Sequence, residues 1–449
     1  LPLTAGVLTP NGWKPIGRLT IGDAVIGRDG NAHRVTAFHL RGFQETYRVR
    51  FCDGAETVCD GAHLWTVRSF NDVARGKPWR VMSTDALRAS HLRYGKQRSR
   101  TWQIPLVASV NFHEQAALPV HPYLLGALLG DGSLDRTPRL YGNDPWIAER
   151  IAQILPPSSA IVRGKSSRCG VWSIVNQPRN PHIRNPIMAA LGRVGLSGIC
   201  GDGKFVPSEY FTAPPMDRLA LLQGLMDTDG YCGSPTPEFS NASRALADAV
   251  VYLVESLGGT AHLSEKKAPT CDYKGSKIVG ATSWRVTMSL PPGITPFALP
   301  RKAVKYRPTS RGLGRWIDSI EPEGRQETAC IAIDAPDNLY VTERFVVTHN
   351  TPMQLVWAEN VVRHTNGRVL ILTPLAVGPQ TVLEGEKFGI ECRRSRDGSI
   401  ASRGITVTNY EKLHLFDASN FVGVVCDESS ILKHFSGATQ MAVTRFMLK

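Results

Sequence analysis

Leu124-Leu125-Gly126-Ala127-Leu128-Leu129-Gly130-Asp131-Gly132 and Leu222-Gln223-Gly224-Leu225-Met226-Asp227-Thr228-Asp229-Gly230 match position for position. Each reads as an apolar helix with glycine at its third place and an Asp-Gly ending. Gly126, Ala127 and Gly224 have little or no side chain, so two such helices can pack backbone to backbone. Each helix then delivers one carboxylate, Asp131 or Asp229, to the same end of the shared interface. Two converging carboxylates repel unless a divalent cation lies between them. Oxygen ligands of this kind suit Mg²⁺, which activates water and stabilises both oxygens of a phosphodiester displacement. One such helix alone would read as an ordinary amphipathic helix ending in a turn. Two in matching register point to a site.

Outward from these helices the texture of the chain changes three times. Leu1 to about Val67 is rich in Gly, Thr and β-branched residues, with Asn11-Gly12, Arg28-Asp29-Gly30 and Cys52-Asp53-Gly54 separating short alternating runs. That pattern predicts a small all-β unit. From about Pro119 to Leu290, apolar helical segments (Pro122–Leu129, Arg218–Met226, Ala245–Leu257) alternate with strand-like pieces and basic loops, the mark of α+β. β character returns over Trp316–Ile320, Cys330–Ile333, Leu339–Val341 and Phe345–Val347. After Asn350 a helix (Met353–His364) and buried strands (Arg368–Leu372, Gly423–Cys426) predict a parallel α/β sheet. The two β pieces are each too short to be comfortable domains. They read as halves of one domain with a second inserted.

The totals set bounds on this. A chain of 449 residues with 42% hydrophobic and 20% charged residues is globular in composition and long enough for two or three domains. No apolar run of about 18 or more residues is present, which predicts no membrane span. The net charge of +13 points to a polyanionic partner, nucleic acid first. The nine cysteines form neither a CxxC pair nor a zinc spacing, which fits a reducing cytoplasm where an important Cys works as a thiolate. The opening Leu1–Pro10 lacks an initiator Met and a signal-peptide layout, and reads as a segment of something longer.

A second constellation closes the later β piece, Val346-Val347-Thr348-His349-Asn350-Thr351. An Asn side-chain amide can attack its own carbonyl and break the chain after Asn350, and a proton-donating neighbour such as His349 makes that cleavage practical. The hydroxyl of Thr351 can hold an acyl group in transit. Upstream, Asp60-Gly61-Ala62-His63-Leu64-Trp65 offers another imidazole, able to polarise a scissile peptide.

The twin helices resemble the double-motif LAGLIDADG homing endonucleases, as do Lys204-Phe205-Val206-Pro207 and Phe239-Ser240-Asn241-Ala242-Ser243. That resemblance implies a pseudo-two-fold DNA cutter with Asp131 and Asp229 as catalytic metal ligands for Mg²⁺ and Lys204 as an active-site cation. Arg136, Arg139, Arg163, Lys165, Arg168, Lys266 and Lys267 would neutralise phosphates of double-stranded DNA, the homing site. The remainder of residues 1–351, with Leu8–Gly17, Ile21-Gly22-Asp23, the His63 block and the His349-Asn350-Thr351 ending, resembles an intein. Hedgehog-type autoprocessing domains lack the Asn ending and the endonuclease.

Most inteins begin with Cys or Ser, whereas this chain begins with Leu1, so either the first residue was trimmed or the nucleophile lies elsewhere. Trp65, Cys330 and Thr351 fall where class 3 inteins carry their Trp-Cys-Thr set, which favours the second. By that resemblance Cys330 takes the upstream segment as a thioester, the acyl group passes to Thr351, and Asn350 cyclises with help from His349. His63 activates the upstream amide and Trp65 positions Cys330; Asp60 replaces the more usual Thr and would orient His63. Splicing itself needs no cofactor.

The stretch after Thr351 resembles the first RecA-like half of a Swi/Snf-type superfamily-two helicase. Leu372-Thr373-Pro374 is similar to its motif Ia, and Val424–Ser430 to Walker B, with Asp427 on Mg²⁺ and Glu428 orienting water for ATP hydrolysis. Thr351 would be the last residue of a P-loop whose Gly-Lys lies before residue 1, which would make splicing complete the ATP site. The expected architecture is therefore multidomain. An all-β, horseshoe-shaped Hint splicing domain (1–115 and 306–350) is interrupted by an α+β endonuclease (116–305) and followed by a partial α/β helicase fragment (351–449). The chain is expected to act as a monomer, with host exteins in cis and no membrane partner. The competing readings are a splicing-only intein with a decayed endonuclease, and a helicase carrying an inert insert.

Overall fold

The computed structural model describes residues 1–449 except 96, 113–116, 165–169, 179–183, 234–235, 268–269, 274–275, 280–281, 309–312, 350–352, 376, 389, 428–436 and 449. The expected residues Asn350, Thr351, Glu428, Lys165 and Arg168 lie outside those described. Among the described residues no helix is long and apolar enough to cross a membrane.

The two terminal β pieces share their sheets. Strand Gly6–Thr9 pairs with Gly12–Pro15 and, through Val7 and Thr342, with Leu339–Thr342, which in turn pairs with Val346–His349. The larger sheet is built on Ala32–Phe51 and Arg315–Ile333, antiparallel along nearly their whole length. At about 3.3 Å per residue each would run some 60 Å if straight. Four register shifts interrupt the ladder, at 317/319, 322/324, 328/329 and 332/333, and such bulges bend and twist a strand. The sequence runs Trp316–Ile320 and Cys330–Ile333, read as separate strands, are the two ends of this one. Val35, Val49, Trp65, Ile317, Ile331 and Ile333 fill the core beneath it.

The insert is a duplicated unit. Its first half has a helix (Pro122–Asp131), two strands (132–133, 139–141), a helix (Pro145–Ile154) and two strands (159–163, 171–176). Its second half repeats this with Pro215–Asp229, strands 230–231 and 238–241, Arg244–Ser256, and strands 260–266 and 283–289. In both sheets the first two strands are neighbours, followed by the fourth and then the third. One apolar core from Val120 to Tyr306 runs through both halves. The final segment has a four-stranded parallel sheet in the order 392–394, 404–409, 368–373, 423–426. Its central strands, 368–373 and 404–409, are buried on both faces, so they carry no polar alternation.

A buried ionic cluster joins insert and β domain. Arg315 Nε donates to Asp53 at 2.7 Å, and its Nη2 to Glu255 Oε1 at 3.0 Å. Arg344 also reaches Glu255, at 2.8 and 2.9 Å. The side chains of Glu255 and Arg315 are each 1% exposed. Burial pushes the Glu255 carboxyl up, against the two guanidiniums that pull it down. Arg344 sits at φ +55° and Phe345 at +53°, left-handed conformations strained for side-chain-bearing residues, just before the last strand. Glu255 thus holds the strained turn that aims Val346–His349. Removing one partner of such a cluster leaves a buried charge uncompensated. Glu255→Gln is expected to lower unfolding free energy by about 3–5 kcal/mol in urea melts, while an exposed control, Glu265→Gln, changes little.

Candidate active sites

Around the ends of the β domain, four chain segments converge. The α-amine of Leu1 donates to Ala329 O at 2.9 Å, and Ala329 N–H returns to Leu1 O at 2.8 Å. Leu1 is 2% exposed, and its amine lies buried against Ala329, the residue before Cys330 on that strand. His63 is buried on the other side, its Nε2 against the Thr348 hydroxyl, which directly precedes His349. Burial pushes the His63 ring well below its usual range, and the nearby α-amine, His349 and Arg41 push the same way. His63 is consequently neutral and in its basic form, able to accept a proton or a hydrogen bond without first being discharged.

Trp65 lies edge-on to His63, ring centres 5.1 Å apart, and its indole N–H donates to Thr84 Oγ1 at 3.0 Å. The Thr84 hydroxyl also reaches His63 O at 3.2 Å and Cys59 Sγ at 3.3 Å. Trp65 is therefore packed behind His63. The Asp60 carboxylate accepts from Ala62 N–H at 2.9 Å and faces Arg41 at 3.5 Å. It shapes the turn before His63, whereas the sequence reading had it orienting the ring. Leu1, Thr84 and Thr348 escaped sequence reading. Thr348 was signalled only by its place beside His349, and nothing local marks the other two.

In the insert, the two apolar helices cross at their glycines. A Cβ on Gly126 would meet Leu221 O at 2.3 Å, and one on Gly224 would meet Tyr123 O at 2.3 Å. The closeness expected from residue size is thus required on both sides, and symmetrically. Asp131 and Asp229 end these helices. Burial pushes the Asp229 carboxyl up to about 6, while the Asn241 amide, donating to Oδ2 at 2.6 Å, pulls it down and the charge of Asp131 pushes it up again. Asp131 is raised as well, by burial first, with Lys302 and Lys204 opposing. Two raised, mutually repelling carboxylates are an oxygen donor set suited to a hard divalent cation.

Lys204 was expected to face a phosphate. Its ammonium instead donates to Leu128 O, Leu129 O, Gly130 O and Gly132 O at 2.8–3.1 Å, the carbonyl end of the first helix. Sequence reading missed its mate. Lys302 caps the second helix in the same way, on Met226 O, Asp227 O, Thr228 O and Gly230 O at 2.6–3.4 Å. Each lysine satisfies carbonyls that the helix leaves open and meets the negative end of its dipole. The duplication was the available signal, since a lysine follows the last strand of each half. Asp227, beside Asp229, is structural. Its carboxylate takes the Tyr123 hydroxyl at 2.9 Å and Leu299 N–H.

Arg136, Arg139, Arg163, Lys266 and Lys267 are exposed, and Arg163 also stacks on Trp172. In the final segment, Asp427 follows the edge strand Gly423–Cys426, its N–H on Leu372 O at 2.8 Å.

A LAGLIDADG-like domain profile matches residues 217–285, the second half of the insert. The chain is 28% identical over 378 residues to a replicative DNA helicase DnaB of Mycobacterium intracellulare, covering 79% of this chain and 59% of that protein. The crystal structure of the MchDnaB-1 intein (N145AA) aligns with 78% of this chain and 98% of its own, at 12% identity and TM-score 0.25. The Msm DnaB1 intein splicing domain bound with zinc aligns at 11% identity, TM-score 0.26, over 78% and 99%. I-DmoI in complex with DNA and Mn aligns at 14% identity, TM-score 0.25, over 38% and 89%. Residues 217–285 thus match a LAGLIDADG-like domain, and the chain is similar in sequence to a DnaB helicase, of which it spans 59%.

The Asp229 geometry has a pH signature. An unfolded aspartate titrates near 3.8 and the folded one near 6, so the charged folded form is penalised above pH 6 and the penalty vanishes below 3.8. Asp229→Asn should therefore stabilise the protein by about 1–2 kcal/mol at pH 8 and by nothing measurable at pH 3.5, read from urea melts at both pH values.

Proposed function

We propose that residues 1–350 are an intein carrying a LAGLIDADG homing endonuclease, inserted in a helicase-like ATPase. The observation that carries this reading is the buried Leu1 amine, paired on Ala329 beside Cys330. In a longer precursor that nitrogen would belong to the upstream peptide bond. Cys330 would attack the preceding carbonyl carbon, leaving a thioester and a free Leu1 amine whose hydrogen bond to Ala329 O survives the cleavage. Neutral His63 is within the field of that nitrogen and suited to polarise the upstream amide as its C–N bond breaks. The acyl group then passes to the Thr351 hydroxyl. Asn350 cyclises with His349 beside it, and an oxygen-to-nitrogen shift joins the flanking segments. No cofactor enters these steps. Trp65, through its contact with His63, would keep that ring in place.

For the endonuclease, Asp131 and Asp229 would hold Mg²⁺, which supplies water activation and charge neutralisation for phosphodiester cleavage of double-stranded DNA. Asn241 orients the Asp229 carboxylate, and the two capping lysines keep both helix ends in place. The exposed arginines and lysines of the two sheets would contact backbone phosphates. I-DmoI, whose complex contains DNA and Mn, and the DnaB relative are consistent with DNA as partner and a helicase as host. For the host, Asp427 at the end of a parallel strand supports a RecA-like ATP-Mg²⁺ site, with Glu428 and Thr351 completing it after splicing. We propose the chain to be monomeric and to work in the cytoplasm.

Two assays test this. A precursor with a tag and Gly-Lys before Leu1 should yield ligated flanks by intact mass spectrometry, and Cys330→Ala should lose both ligation and thiol-induced upstream cleavage. A Cys330→Ala precursor that splices normally would sink the internal-nucleophile mechanism. Separately, duplex DNA spanning the insertion site should be cut with Mg²⁺, and Asp131→Asn or Asp229→Asn should reduce cutting by roughly 10²–10³-fold. Equal cutting by the variants would remove the endonuclease assignment.

A further inference from the structure

His39 stands directly opposite Cys330 in the ladder of the two long strands, within the regular stretch between two register shifts. Directly opposed residues share a sheet face, with Cβ atoms about 4.5–5.5 Å apart. Phe38 and Ile331, the neighbouring pair, turn into the β-domain core, so alternation sends His39 and Cys330 to the other face together. Ala37, two residues before His39, packs against the core of the final segment. The helix Met353–Thr365 therefore covers this face, and it brings Glu359 and Arg363 towards the His39 ring. His39 Nε2 is shut off from water and has no hydrogen-bond partner among the described residues. Buried ring nitrogens are ordinarily satisfied, and this one, opposite Cys330 in the ladder and not yet bonded to its thiol, is open to take a proton.

We infer that His39 is the base that takes the Cys330 thiol proton when the upstream junction is attacked. The inference rests on the intein reading above. The Sγ–H bond breaks and its proton moves to His39 Nε2. The sulfur lone pair forms a C–S bond to the carbonyl carbon preceding Leu1, and the C–N bond to Leu1 breaks. The proton ends on the departing Leu1 nitrogen. One proton is relocated from thiol to amine, and no oxidant or metal takes part. Burial holds the His39 ring below its usual range, with Glu359 opposing and Arg363 reinforcing, so the ring is in its basic form at neutral pH. Because Glu359 and Arg363 belong to the downstream segment, the host helix itself borders the base.

The test uses the full chain preceded by a tag and Gly-Lys, as wild type, His39→Ala and His39→Gln. Dithiothreitol-induced upstream cleavage and iodoacetamide labelling of Cys330 are followed by mass spectrometry, with thermal melts as folding control. Both variants should lose roughly 10²–10⁴-fold in cleavage rate. Free imidazole should restore the rate in His39→Ala, where the ring's space is vacated, and not in His39→Gln. Wild-type cleavage in His39→Gln, or a slowed His39→Ala that imidazole does not rescue, overturns the assignment while leaving the splicing reading intact. Should both variants melt early, diethylpyrocarbonate modification of His39 in the wild-type chain should slow Cys330 labelling by about tenfold or more, and unchanged labelling overturns it. A wild-type precursor with no Cys330-dependent cleavage removes the splicing reading and this inference with it.

Discussion

The antiparallel ladder between Ala32–Phe51 and Arg315–Ile333 is the constraint on which the rest depends. It unites strands from opposite ends of the chain, fixes Cys330 opposite His39, and presents Ala329 to the Leu1 amine. A one-residue slip would turn Cys330 into the core and Ile331 out of it, so the buried apolar face enforces the register. The same geometry explains how a large insert is tolerated. Ile104 and Arg315, on either side of it, are partners in adjacent strands. The insert therefore leaves and returns at neighbouring points, and the entropy of closing even a long loop grows only logarithmically with its length.

Charge is handled in two opposite ways within one molecule. Glu255 is buried between two guanidiniums, and this compensated cluster ties the insert to the strained turn before the final strand. Asp131 and Asp229 are brought together with no guanidinium bonded to either, and only the charges of Lys204 and Lys302 oppose their rise. Asn241 donates to one of them, while the nearby lysines spend their protons on helix carbonyls. The first arrangement stabilises the union of two units. The second holds repelling charge at the ends of helices whose glycines allow them to pack backbone to backbone. Two raised carboxylates held in a close-packed frame are the donor set on which the proposed cation site rests.

Much of this was legible in the sequence where a local rule applied. Glycine at the third place of each apolar helix dictated close packing, and the Asp-Gly endings located the carboxylates. Alternation and turn residues disclosed the β pieces, and apolar runs the parallel sheet after residue 352. What stayed hidden depends on pairing between distant segments. No local pattern shows that Trp316–Ile320 and Cys330–Ile333 form one bent strand, that Leu1 is buried against Ala329, or that His39 faces Cys330. Thr84 serves three partners through a single hydroxyl, which no spacing rule anticipates. Lys302 was hidden for a different reason. It lies far from the second acidic helix in sequence, and only the duplicated topology makes it the counterpart of Lys204.

The central claim is that the upstream segment is carried on Cys330. It is tested most directly by trapping that intermediate in an Asn350→Ala, Thr351→Ala precursor, in which neither acyl transfer nor cyclisation can proceed. Peptide mapping by tandem mass spectrometry at mildly acidic pH should find the upstream segment attached to Cys330 through a hydroxylamine-sensitive thioester. An acyl group on another residue, or none in a folded precursor, would contradict the account.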